Sequence, residues 1–255
     1  MAFHPSYSKV GASSSRENDG ECTHECSRPK AAPTKINMST KSYFIIGTDT
    51  NVGKTYIASA LIQHFVAAGF KTIGMKPIAS GCELGASGEL INDDVLALNA
   101  ASNVQAPDDR INPYAFAPAI APHIAAALAG VNMQIEVIQH AYTQLTELAD
   151  VLIVEGAGGF FVPINATQTL ADLAVQLNIP IILVVGMKLG CINHALLTVE
   201  AIQARGLNLT GWVANQIEAD MPMFEENLAS LTQRIVAPCL RVVHWQKTAN
   251  FAFAK

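Results

Sequence analysis

Gly47-Thr48-Asp49-Thr50-Asn51-Val52-Gly53-Lys54-Thr55 stands between two segments of different hydrophobic period. Before it lies a short apolar run, Tyr43-Phe44-Ile45-Ile46, which reads as a buried strand. After it, Lys54 to Ala68 carries apolar residues at helical spacing (Ile57, Leu61, Ile62, Phe65, Val66), with Gly69 as the expected stop. Strand, glycine-bearing loop and helix start in that order are the context a phosphate-binding loop requires. Backbone N–H groups of such a turn, together with the helix N-terminus, cradle phosphate oxygens. Lys54 then supplies positive charge to the β and γ phosphates, and the Thr55 hydroxyl suits magnesium. The usual spacing puts four residues between the first glycine and Gly-Lys-Ser/Thr. That position is Thr48 here and Gly47 comes one earlier, so the loop is a variant. A chance Gly-Lys-Thr at a helix start is the competing reading.

The same alternation continues along the chain. Thr72 to Lys76 reads as a second strand, Gln134 to Leu148 as a helix, and Val151-Leu152-Ile153-Val154 as a buried strand. Ile181 to Val185 follows as a strand, Asn193 to Arg205 as a helix stopped by Gly206, and Leu209 to Asn215 as another strand. Strands separated by helices imply βαβ units. The expected fold class is α/β: three layers, a mostly parallel sheet with helices on both faces, similar to P-loop NTPases. No internal repeat is visible.

Three further positions carry candidate chemistry. Glu155 ends an apolar strand and is followed by Gly156-Ala157-Gly158-Gly159. Ligands of open α/β sheets bind at that end of the strands, and glycines permit close backbone approach. A solvated loop glutamate is the alternative. Asn92-Asp93-Asp94 precedes a helical pattern, so either aspartate is a metal ligand or a helix cap. Lys76 ends the second strand, where it can meet phosphate or carboxylate, or simply point to water.

Composition narrows the function classes. Across 255 residues, 50% are hydrophobic and 15% charged, with mean hydropathy +0.27, a balance suited to strands buried on both faces. A net charge of −5 offers no footprint for nucleic acid. No apolar run is of membrane-spanning length, and the N-terminus shows no apolar signal core. Five scattered cysteines do not form a disulfide framework, and a cytoplasmic location is expected. Residues 1–37 lack apolar periodicity and are expected to form a disordered extension, with Met38 as a candidate natural start and 38–255 as a single domain. Cys22-Thr23-His24-Glu25-Cys26 within that extension is not a standard zinc spacing and has no second ligand pair.

Taken together, these pieces resemble dethiobiotin synthetase. The matching stretches are the loop 47–55, Met75-Lys-Pro-Ile-Ala-Ser-Gly81, Val154-Glu-Gly-Ala-Gly-Gly159, Val184-Val-Gly-Met-Lys-Leu-Gly-Cys-Ile-Asn-His194 and Gly211-Trp-Val-Ala-Asn215. They span about Ser42 to Trp245, and the extended loop spacing is a family trait. The resemblance implies an ATP- and magnesium-dependent ligase of biotin biosynthesis. It would join diaminopelargonic acid and carbon dioxide through a carbamate and a carbamic–phosphoric anhydride. It implies that Gly53, Lys54, Thr55 and Gly158 hold the nucleotide and that Thr55, Asp94 and Glu155 hold magnesium. Thr50, Lys76 and Ser80 would surround the carbamate and the transferred phosphoryl group, and Asn215 would read the adenine edge. Gly190, Cys191, Ile192 and Asn193 would bind the substrate's distal carboxylate from the second subunit of a homodimer. Many relatives carry glutamate where this chain has Asn51, so no role of that acid carries over. Two other readings remain. A ParA/MinD-like switch ATPase would carry Lys-Gly-Gly where this chain has Asp49-Thr50-Asn51. A cobyrinate-type amide ligase usually carries a glutaminase domain, for which no room remains.

Overall fold

The computed structural model describes residues 40–249, which lie within one compact unit, Met38–Lys255. The expected extension over residues 1–37, with its Cys-His-Cys cluster, falls outside the described residues. In chain order the strands are β1 (Lys41–Gly47), β2 (Thr72–Met75), β3 (Ile78–Ser80), β4 (Glu83–Leu84), β5 (Leu90–Ile91), β6 (Tyr114–Phe116), β7 (Val151–Gly159), β8 (Ile181–Met187), β9 (Leu209–Gln216) and β10 (Cys239–Val243). The helices are α1 (Lys54–Ala67), α2 (Asp93–Ala101), α3 (Asp108–Ile111), α4 (Pro122–Leu128), α5 (Ile135–Thr146), α6 (Leu170–Leu177), α7 (Cys191–Ala204) and α8 (Phe224–Arg234).

Six strands form one all-parallel sheet in the order β10-β9-β8-β1-β7-β2. Parallel strands joined by helical crossovers are covered on both faces, which is why these segments are continuous apolar runs. Successive side chains alternate between two cores. Phe44 and Ile46 of β1, with Leu183 and Val185 of β8, join the core under α5, α6 and α7. Ile45 of β1, with Ile182 and Val184 of β8, joins the core under α1 and α2, beside Ile57, Leu61 and Leu98. The result is the three-layer arrangement expected. Among the described residues, no helix is long and apolar enough to cross a membrane.

Several boundaries differ from the sequence reading. Strand β7 does not stop at Val154 but continues to Gly159, because Gly159 still pairs with Gly47 of β1. Helix α7 begins at Cys191 rather than near Asn193, with Gly190 as its N-cap. Neither Asp93 nor Asp94 caps α2. Asn92 does, its side chain accepting from the N–H groups of Asp94 and Val95. Two small sheets, β3 with β6 and β4 with β5, lie between β2 and α4, a stretch in which the sequence shows only the helical pattern of α2.

Candidate active site

Sheet register assembles the site. Ile45 pairs with Glu155, so the glutamate on β7 sits level with the end of β1, where the loop departs. Met75 pairs with Val154, which brings Lys76 beside Glu155 on the other side. Gly186 pairs with Asn215, setting Asn215 at the same edge. Four separate stretches therefore converge at the carboxyl ends of the strands, as open α/β sheets require.

The loop is shaped by steric need. A Cβ on Gly47 would lie 2.7 Å from Val52 Cγ2 and 2.9 Å from the Asp49 carbonyl oxygen, so only glycine fits. Gly53 has φ 87 and a Cβ there would collide with the Asn215 amide. Asn51 has φ 59, a left-handed conformation that asparagine tolerates better than most side chains.

At the head of α1, Lys54 is buried and its Nζ donates to the Asp49 carbonyl, 2.9 Å away. Burial, helped by the positive charge of Lys76, pushes its pKa down to about 8. The Thr55 hydroxyl lies 2.6 Å from Asp94 Oδ1 and 2.8 Å from Glu155 Oε1. It has one hydrogen and donates to one carboxylate at a time. Lys76 Nζ is 2.7 Å from Asp94 Oδ2 and 2.6 Å from Glu155 Oε1. Burial alone would lower the Lys76 pKa, but the Glu155 and Asp94 carboxylates outweigh it and raise it. Burial likewise acts to raise Asp94, and the Lys76 ammonium overrides it, holding the carboxyl below its ordinary range.

Glu155 is fully buried, and its Oε2 has no hydrogen-bond partner. A buried carboxylate oxygen without a donor is costly unless a cation or ligand meets it. Thr55, Asp94 and Glu155 form an all-oxygen set, the chemistry that magnesium prefers. These residues fit that ion.

Two cavities flank the loop. The larger, about 860 Å³, is lined by Thr50, Gly53, Lys54, Thr55, Lys76, Ser80, Asp94, Glu155 and Gly158 among others. It gathers every residue expected around the phosphates and the transferred group. The smaller, about 490 Å³, is bounded by Asn51, Gly53, Tyr56, Asn215 and the segment Val243–Thr248. Asn215 Nδ2 donates to the Val52 carbonyl at 2.8 Å, which braces the loop. Gly190, Cys191, Ile192 and Asn193 line neither cavity. Asn193 and Leu189 are exposed, Leu189 almost completely, at 96%.

Sequence reasoning missed the wall of the smaller cavity. β10 and the residues after it were assigned no element, although Leu240 to Val243 is a β-prone run that signals a strand. It also missed Asn92, whose spacing before the apolar pattern marks a helix cap, and the Lys188–Asp49 ion pair at 3.3 Å that ties the β8 edge to the loop.

Comparison with known proteins places these features among others. Of solved structures, the septum site-determining protein MinD of Pyrococcus horikoshii, complexed with Mg-ADP, has a TM-score of 0.49 and 16% identity, covering 80% of this chain and 81% of that one. The AAA domain family model matches residues 41–251. The ATP-dependent dethiobiotin synthetase BioD of Cellvibrio japonicus is 52% identical over 206 residues, 81% of this chain and 90% of that protein. That of Nitrosospira multiformis is 48% identical over 207 residues, covering 81% and 89%. That of Xanthomonas euvesicatoria pv. vesicatoria is 46% identical over 215 residues, covering 84% and 96%.

Proposed function

The chain belongs to the dethiobiotin synthetase family, and from that premise we infer that it closes the ureido ring of dethiobiotin from diaminopelargonic acid, carbon dioxide and ATP, in biotin biosynthesis. The observation that carries the site assignment is the convergence of Lys54, Thr55, Lys76, Asp94 and Glu155 on one cavity beside the loop.

The chemistry follows from that set. One amine of the diamine and carbon dioxide form a carbamate. The γ-phosphoryl group passes to it, giving a carbamic–phosphoric anhydride. The second amine attacks the carbonyl carbon, the ring closes and phosphate leaves. Phosphoryl transfer asks the protein mainly for positioning and for positive charge about the equatorial oxygens. Lys54 and Lys76 supply that charge from buried positions, where it acts strongly. Thr50 and Ser80 bring hydroxyls to the same wall for the carbamate and the moving group. Magnesium held by Thr55, Asp94 and Glu155 would neutralise phosphate charge. The cavity also shields the labile anhydride from water. Asn215 Oδ1 matches the amino donor on adenine's edge.

For the distal carboxylate of the diamine we propose the α7 start, Gly190 to Asn193, of a second copy of the chain in a homodimer. Free N–H groups at a helix N-terminus suit a carboxylate. Exposed Leu189 and Leu197 flank that helix start, which suits burial against a partner. The reading involves small molecules and a second copy only, and a cytoplasmic setting suits an enzyme that uses ATP.

The direct test supplies the purified protein with diaminopelargonate, bicarbonate and MgATP. Dethiobiotin should appear by mass, with one ADP and one phosphate for each product. ATP turnover that ignores the diamine and depends on a protein partner would favour the switch ATPase instead. The shared site is tested by mixing two inactive proteins, Lys54→Ala and Asn193→Ala. In a mixed dimer one site collects both defects and the other collects neither, so about a quarter of wild-type activity should return. No recovery, with subunit exchange confirmed, would remove Asn193 from the shared site.

A further inference from the structure

Helix α1 does two things within three consecutive residues. Lys54 and Thr55 face the larger cavity, and Tyr56 faces the smaller one. The Tyr56 hydroxyl donates to the Lys247 carbonyl at 2.8 Å and accepts from the Ala249 N–H at 2.8 Å. Both partners belong to the strap after β10, more than 190 residues away in sequence. Of that strap, residues 244–249, His244 to Thr248 form the outer wall of the cavity whose inner wall holds Asn215.

Among the described residues, three further contacts hold the strap. The His244 ring packs against Phe224 of α8 at 5.3 Å between centroids. Trp245 N–H donates to Gln216 Oε1 at a long 3.3 Å, and Lys247 N–H closes a turn onto the His244 carbonyl. Gln246 sits at φ 56, a left-handed conformation that a glutamine adopts only when its surroundings hold it. Ala249 is buried in the core under α1, so the strap's far end is anchored just beyond the tyrosine. A residue of the phosphate-binding helix thus holds the base wall by two backbone hydrogen bonds.

We propose that Tyr56 is a positioning residue for the nucleotide base: its hydroxyl sets the strap 244–249 as the wall against which adenine is selected. The proposal rests on the placement of adenine beside Asn215. Removing the hydroxyl frees the wall but leaves the phosphate loop, Lys54 and Thr55 as they are. Base affinity and base discrimination should therefore fall while phosphate binding and the chemical step persist.

The test uses the full chain carrying Tyr56→Phe, which keeps the ring. The dissociation constants of ATP and of inorganic tripolyphosphate are measured with magnesium, alongside kcat and KM for ATP and for CTP. ATP affinity should fall about fivefold to tenfold, the range expected on losing two ordinary hydrogen bonds that order a wall. Tripolyphosphate affinity and kcat should stay within about twofold. The preference for ATP over CTP should shrink, which a merely structural role would not produce. Unchanged ATP affinity, or equal weakening of ATP and tripolyphosphate, overturns the proposal. The base placement is read separately in the wild-type chain. Of its two tryptophans, Trp212 is fully buried and Trp245 lines the cavity. Emission that responds to ATP and not to tripolyphosphate puts the base beside Trp245. No response to ATP refutes that placement, and the proposal with it. A normal response with unchanged Tyr56→Phe affinity refutes the tether alone. Gln216→Ala loosens the strap's near end and should repeat the pattern, so a folding defect in Tyr56→Phe does not leave the proposal beyond reach.

Discussion

The two ends of the proposed nucleotide site are built from different material. At the proposed phosphate end, Lys54, Lys76 and Glu155 are 6%, 4% and 0% exposed, and each is fixed by a core strand or the first turn of α1. At the base end, the cavity wall is the irregular strap after β10, with Tyr56 and Trp245 each 43% exposed. Charge chemistry gains from rigid, desolvated groups that need no reorganisation, so it sits on the scaffold. Base recognition needs shape and a few hydrogen bonds, which on the proposed reading a loop segment would supply. The difference predicts that damage at the phosphate end removes catalysis, whereas damage at the base end changes affinity.

The largest effect should come from Lys54→Ala. Losing a buried ammonium from the transferred phosphoryl group should cut product formation about a thousandfold or more. The melting temperature should hold, because burial already works against this charge in the free protein. Wild-type turnover in this variant would dissolve the contrast at its stronger end. Next come the neighbouring aspartates. Asp94→Asn removes a partner of both Thr55 and Lys76, and should raise the magnesium requirement roughly 10–100-fold. Asp93→Asn changes an exposed residue in the first turn of α2 and should stay within about twofold. If Asp93 were the sensitive one in a magnesium titration, the assignment of Asp94 to the metal would fail.

The pH dependence separates the two ends directly. The Lys54 pKa is lowered by burial to about 8, so below that pH the ammonium is present and ready for phosphate. Above it, binding must take up a proton, and the affinity for tripolyphosphate should fall by up to about tenfold per pH unit. Adenosine, which carries no phosphate, should bind with nearly flat affinity between about pH 7.5 and 9.5. Calorimetry of both ligands over that range checks the sign. Parallel curves would mean that Lys54 does not set the phosphate end.

This contrast also explains what the sequence made legible. Gly47, Gly53, Lys54 and Thr55 form a local motif, because their constraints act within nine residues. Lys76 was readable as a strand end, while Glu155 was placed at the end of a strand that in fact continues to Gly159, because pairing with β1 carries the glycines along. Their mutual contact was not readable, because it depends on the register of β2, β7 and β1. Asp94 was ambiguous with Asp93 until Asn92 proved to be the cap, which fixes the phase of α2 and turns Asp94 toward Thr55. The strap was illegible. His244-Trp245-Gln246-Lys247-Thr248 has neither helical nor strand period, and among its contacts are two hydrogen bonds to a tyrosine nearly two hundred positions earlier. The start of α7 was read near Asn193, two residues late, because Gly190 and Cys191 carry no helical period of their own.

Asn51 lies on the boundary between the two ends, lining both cavities, and it should give the smallest effect. Its φ of 59 costs an ordinary L-residue about 1 kcal/mol, whereas asparagine and glycine tolerate it. Asn51→Ala should therefore lower the melting temperature by about 2–4 °C, the shift that a loss of this size gives in a domain of this length. Asn51→Gly should stay within about 1 °C of the parent, because it removes the side chain without straining the backbone. The two variants separate conformation from contact. If backbone shape is what Asn51 contributes, only the alanine variant should loosen the loop, and it should weaken ATP and tripolyphosphate alike, since the loop carries the phosphate donors. If both variants lost ATP affinity equally while tripolyphosphate binding held, the asparagine side chain would belong to the base end. The boundary between the two regions would then run on the other side of it.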